Sequence, residues 1–188
     1  RIAASFYFAA QDAEAARTVI ERALLDLPES SSWTPILAGT ERSSFVDGPP
    51  SGRRTLADGT SIDLTTLVNV ADCGRRTACT PAQTSSVTVD RPWGSNNPRW
   101  QLYAYGPLQG LLPEGLSGPP DYLVVLAGDD ASENDADPRA DGDGAGNPGS
   151  GVIRLRGFAF GPLGRRHAVE VVAVRSSGAP RLTAWRDL

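Results

Sequence analysis

The chain has 188 residues, with 18 arginines, no lysine and no methionine, set against 22 acidic residues, one histidine and two cysteines, for a formal charge of −4. Without an ε-amine there is no Walker A loop, no pyridoxal-phosphate Schiff base and no lysine nucleophile, and one His with two Cys falls short of a four-ligand Cys/His zinc site. At 40% hydrophobic the chain can bury a core of its own, so one domain over 1–188 is expected; the weakly acidic total argues against a general nucleic-acid binder.

The first element is an amphipathic helix over 4–27. Phe6, Ala9, Ala10, Ala13, Ala16, Ile20, Ala23, Leu24 and Leu27 recur every three or four residues, while Asp12, Glu14, Arg17, Glu21, Arg22 and Asp26 take much of the other face. Pro28 ends it. No Ser, Thr, Asp or Asn cap precedes Ile2, so the helix is expected to continue upstream of Arg1. A short second helix is predicted from Ser30 to Leu37, closed by Gly39.

From 47 to 98 the chain reads as a loop-rich insertion. Asp58-Gly59 sets a hairpin turn between Thr55-Leu56 and Ile62-Leu64, and the stretch from Asn69 onward reads as loop. Cys73 and Cys79 enclose a five-residue ring that lacks both metal-ligand and CxxC redox spacing. A disulfide is expected there, the alternative being two free thiols.

Strand patterns fill 100–188: Trp100–Tyr105, Tyr122–Ala127, Val152–Phe160, Ala168–Val174 and Leu182–Trp185. Gly161-Pro162-Leu163-Gly164 and Ser176-Ser177-Gly178-Ala179-Pro180 join the last three as hairpins. A long helix followed by an antiparallel meander defines an α+β fold, the helix stripe covering one sheet face.

The sheet is interrupted by an acidic loop at 128–151. Between 129 and 143 stand seven acids and one Arg, so the rest of the chain, with 15 acids and 17 arginines, is mildly basic. Carboxylates at that density attract a hard, oxygen-seeking cation. EF-hand spacing fails, because Ala145 and Val152 occupy ligand positions, but an irregular calcium loop using Asp129, Asp135, Asp137, Asp141 and Asp143 is the candidate site. The alternative is a solvated acidic loop. Gly144–Gly149 matches GxGxxG formally, but it lies in an acidic field and leads into a strand, so phosphate binding is not expected. His167 has no Gly-x-Ser-x-Gly partner, and the clustered acids lack the opposed arrangement of glycosidases, so catalysis is not expected.

Two stretches resemble a known family. Ser5-Phe6-Tyr7-Phe8-Ala9-Ala10-Gln11-Asp12-Ala13-Glu14-Ala15-Ala16, leading to Glu21-Arg22-Ala23-Leu24, is similar to the "FYAAEAGLERAL" stretch of PilX-type minor pilins of type IV pili. Gly157 to Glu170, followed by Leu182-Thr183-Ala184-Trp185-Arg186, is similar to their "AEAFGPRGARRVVEA…VLSWRE" close. The resemblance covers about a third of the chain, and it implies a pilin-like fold: a long N-terminal helix, its first half a membrane anchor, packed on a C-terminal antiparallel sheet with long loop insertions. It further implies a structural subunit outside the cytoplasm, working with other pilin subunits and a pilus-tip adhesin. Phe6, Ala13 and Ile20 would pack within the subunit or filament. The anchor and prepilin peptidase site that the family carries are not in this sequence and are expected upstream of Arg1. Oxidised Cys73–Cys79 and access to calcium would follow from that location. A type II secretion pseudopilin and a calcium-dependent surface adhesion module are the alternatives.

Overall fold

The computed structural model describes residues 2–28, 32–142, 146–177 and 179–188, with the side chains of the first helix described from Ala10 onward. Helix α1 spans Ile2–Asp26 and leads to the short α2, Thr34–Leu37. A two-stranded hairpin follows, β1 (Arg53–Thr55) paired antiparallel with β2 (Ser61–Asp63). Helices α3 (Leu64–Cys73) and α4 (Pro81–Thr84) come next. The main sheet is β3 (Gln101–Pro107), β4 (Tyr122–Asp129), β5 (Val152–Phe160), β6 (Arg166–Val174) and β7 (Arg181–Asp187). Its strands stand in the order β3-β4-β5-β6-β7, each antiparallel to the next, which is the expected meander, with register shifts between Leu102 and Ala104 on β3 and between Val172 and Ala173 on β6.

The period-two pattern of the strands builds two cores. On one face Leu123, Val125, Leu155, Val169 and Val171 receive Ala16, Val19, Ile20 and Ala23 of α1, which lies across β4, β5 and β6. Gly157 lets the helix come close: a Cβ there would sit 2.7 Å from Ile20 Cγ1 and 3.1 Å from the Ala16 carbonyl oxygen. On the other face Val124, Leu126, Phe158 and Trp100 are covered by Leu64, Leu67, Val68 and Ala71 of α3.

Helix α3 corrects the expectation of a strand ending at Leu64 and of loop beyond Asn69. Leu64, Leu67, Val68 and Ala71 have helical spacing, but the β-branched Thr65, Thr66, Val68 and Val70 read locally as strand. The local decision lies in the caps: the Asp63 carboxylate accepts from the Thr66 N–H at 2.7 Å, and Gly74 closes the helix in the left-handed conformation at φ 73°. In the insertion, α4 carries a full capping box between Thr80 and Gln83.

A second correction concerns Asp12, expected on the solvent face. It is buried, and Arg165 from the β5–β6 turn donates to both of its carboxylate oxygens at 3.0 and 3.1 Å, tying helix to sheet. Ile20 is fully buried in the helix–sheet core, Ala13 is partly exposed on the helix flank, and the side chain of Phe6 lies outside the described residues. Among the described residues no helix is long and apolar enough to cross a membrane.

Candidate functional site

The acidic loop leaves the sheet at the end of β4 and returns at β5, and α2 packs against it. Asp141 stands at this junction and is buried. Its carboxylate accepts from the Trp33 N–H at 2.8 Å, from the Gly151 N–H at 2.7 Å and from Arg175 Nη2 at 2.6 Å. The Asp141 N–H in turn donates to Thr34 Oγ1 at 2.9 Å. Arg175 also lies over the Trp33 ring. With three donors on one carboxylate, Asp141 clasps α2, the loop and the end of β6 together.

Asp129 and Glu133 are buried as well, and no cation among the described residues pairs with either. Burial, then the Glu133 charge and the more distant Asp135 and Asp141, push the Asp129 carboxyl up to about 9. Burial likewise raises Glu133, against the lowering effect of the Gly142 N–H and the Asn147 amide that donate to its Oε2 at 3.0 and 3.1 Å. Its Oε1 has no donor among the described residues. Gly142 gives these groups room, since a Cβ there would lie 2.5 Å from Asp135 Oδ2 and 2.6 Å from Glu133 Oε2.

Asp135 and Asp137 are exposed, and each accepts from a backbone N–H two residues on, Asp137 and Arg139 respectively. Asp143 lies outside the described residues. The structure therefore places Asp135 and Glu133, a residue not in the expected ligand set, about Gly142, sets Asp129 within the field of both, and holds Asp141 in hydrogen bonds inside the fold. Among the described residues no group of three or more His, Cys, Asp or Glu side chains is arranged to hold a metal ion.

Cys73 and Cys79 are joined in a disulfide, which pins the segment after α3. His167 is a surface residue whose Nε2 lies 3.3 Å from Asp187 Oδ1. The feature that single-residue reading missed is Glu170. It is buried beneath three guanidiniums: Arg154 Nη2 and Arg156 Nε at 2.5 Å, and Arg186 Nη2 at 3.0 Å. Burial opposes ionisation of Glu170, but the guanidiniums outweigh it and hold the carboxyl below its usual range. Arg156 lies over the Trp100 ring and Arg154 over the Trp93 ring. The signal was present as alternation, since Arg154 and Arg156 share a strand face, but their partner sits 14 to 16 residues downstream.

These features define a class: an α+β domain in which a long helix crosses one face of a five-stranded antiparallel sheet and a disulfide-pinned insertion covers part of the other. Beyond that class, no family model matches the chain, and neither a curated protein nor a solved structure matches it.

Proposed function

We propose that this chain is a non-enzymatic structural subunit, a minor pilin that takes part in the assembly, priming or tip of a type IV pilus. The observation that carries the reading is α1: its Ile20 face is docked on an antiparallel meander, while its opposite side stays open, with Leu25 exposed. A long helix with one committed side and one free side suits a subunit whose helix packs again in a filament. Beside α1 an apolar groove of about 330 Å³, lined by Ala10, Ala15, Leu108 and Leu112, supplies a surface for a neighbouring subunit. The similarity of the two terminal stretches to PilX-type minor pilins supports the same reading, as does the disulfide, which belongs to an oxidising compartment.

On this reading the partners are other pilin subunits and a pilus-tip adhesin, and an anchor encoded upstream of Arg1 holds the protein in the inner membrane before assembly. The coding sequence upstream of Arg1 tests it. About 20 apolar residues after a short basic leader are expected; a hydrophilic domain in that place overturns the proposal. A type II secretion pseudopilin shares these features, and gene neighbourhood separates the two.

A second reading, a calcium-dependent surface adhesion module, is favoured by the burial of Asp129 and Glu133 without a cationic partner. A divalent cation there would discharge the repulsion that drives Asp129 upward. Millimolar calcium should then raise the melting temperature; an unchanged melting curve removes this reading.

A further inference from the structure

The half of the second sheet face that α3 leaves uncovered forms a cleft of about 840 Å³, bounded by the disulfide ring on one side and by β7 on the other. Four arginines line it, Arg91, Arg154, Arg156 and Arg186, and the Arg91 guanidinium donates to the Gln83 and Thr84 carbonyls. Against them are Asp90 on the rim and Glu170 at the floor, and Glu170 is shared among three of the arginines. Asp72, whose Oδ1 accepts from the Trp100 N–H, adds a negative charge that acts on both Arg99 and Arg91. Four arginines against Asp90, Glu170 and Asp72 leave the cleft with more positive than negative charge, and among the described residues the buried Nε of Arg154 has no acceptor. Positive charge gathered in a partly dry cleft draws anions and holds them by charge-assisted hydrogen bonds.

Two further features decide the kind of anion. The Trp93 and Trp100 rings, the aromatic faces on which a sugar would stack, already carry Arg154 and Arg156. Strand β7 ends the sheet, and among the described residues no further strand pairs with it, whereas β3 at the other edge is met by the segment at Val46 through a parallel bridge to Tyr105. An open edge presents unpaired backbone N–H and C=O groups, which an extended polypeptide matches and a small anion does not. The rim is apolar, with Val89 almost wholly exposed.

We infer that the β7 edge, at the mouth of this cleft, binds an extended acidic segment of a partner protein, its backbone pairing with β7 and its carboxylates meeting Arg186. The inference does not rest on the pilus reading, because it uses only the charge and the free edge.

Fluorescence anisotropy with a labelled peptide of alternating Glu and Val tests it on the full chain. Saturable binding that weakens with added salt is expected, with no binding of the Gln-for-Glu peptide. Arg186→Glu, at a side chain more than half exposed, should weaken binding about tenfold, while Arg53→Glu, an exposed arginine outside the cleft, should leave it unchanged. N-methylation of alternate peptide amides should abolish binding. Equal binding of the Gln peptide, equal loss in Arg53→Glu and Arg186→Glu, or tolerance of N-methylation overturns the inference. So does a sulfated glycan that binds more tightly than the peptide. A circular-dichroism melt of each variant confirms that it is folded.

Discussion

Gly157→Ala probes the docking of α1 on the sheet. The added Cβ would sit 2.7 Å from Ile20 Cγ1, 3.0 Å from Ile20 Cδ1 and 3.1 Å from the Ala16 carbonyl oxygen. Ile20 is fully buried and the backbone oxygen belongs to a helix pinned by the Asp12–Arg165 pair, so neither neighbour moves freely. Overpacking of this kind costs about 1 to 3 kcal/mol, reduced by about 0.4 to 1 kcal/mol because alanine restricts the unfolded chain. The net loss should be about 1 to 2 kcal/mol, a fall in Tm of about 2 to 8 °C for a domain of this size. Urea titration followed by tryptophan fluorescence measures it. Ile20→Ala alone should cost about 2 to 5 kcal/mol through its cavity, but in the double variant the new methyl enters the space that Ile20 leaves. The double variant should therefore be more stable than the sum of the single effects by about 0.5 kcal/mol or more. A Gly157→Ala protein as stable as the parent, or strictly additive energies, would refute the close approach of helix and sheet.

Cys73→Ser with Cys79→Ser should cost about 2 to 3 kcal/mol, the loop-entropy value for so small a ring, with hydrogen exchange accelerated around 73–79 and unchanged in β4 and β5. Because the folded Asp129 carboxyl is raised to about 9 while the unfolded one is ordinary, the unfolded chain releases its proton first as pH rises. Stability should thus fall between about pH 4 and pH 9, and Asp129→Asn should flatten that dependence in a series of urea melts. Asp141→Ala strands Arg175 and two backbone N–H groups, so a loss of about 3 to 5 kcal/mol is expected without any added ion; equal stability would show that the clasp contributes little.

Local periodicity was enough to read α1 and the strands, because Ile20, Ala23 and Leu27 repeat on one helical face and Arg154 and Arg156 alternate with the buried Ile153 and Leu155 along β5. Helix α3 was hidden because its β-branched threonines and valines favour strand locally, and only the Asp63 cap and the docking of Leu64 and Leu67 on the second sheet face decide for helix. The same limit applied to charge. Asp12 looked solvated until a turn 153 residues away supplied Arg165, and nothing beside Asp141 in the sequence announced its bond to the Trp33 N–H, 108 residues back. Glu170 carried no local mark of its role, since its three arginines come from neighbouring strands. The acidity of the loop was legible, but which carboxylates would be buried depended on where α2 packs.

The filament reading can be tested most directly in cells that carry the native gene. Filaments sheared from the cell surface are probed with an antibody to this domain, and filament number is counted with and without the gene. The account predicts that the protein co-sediments with the filaments and that its loss sharply reduces their number. A protein that stays wholly in the soluble fraction, with filament number unchanged on deletion, would contradict it.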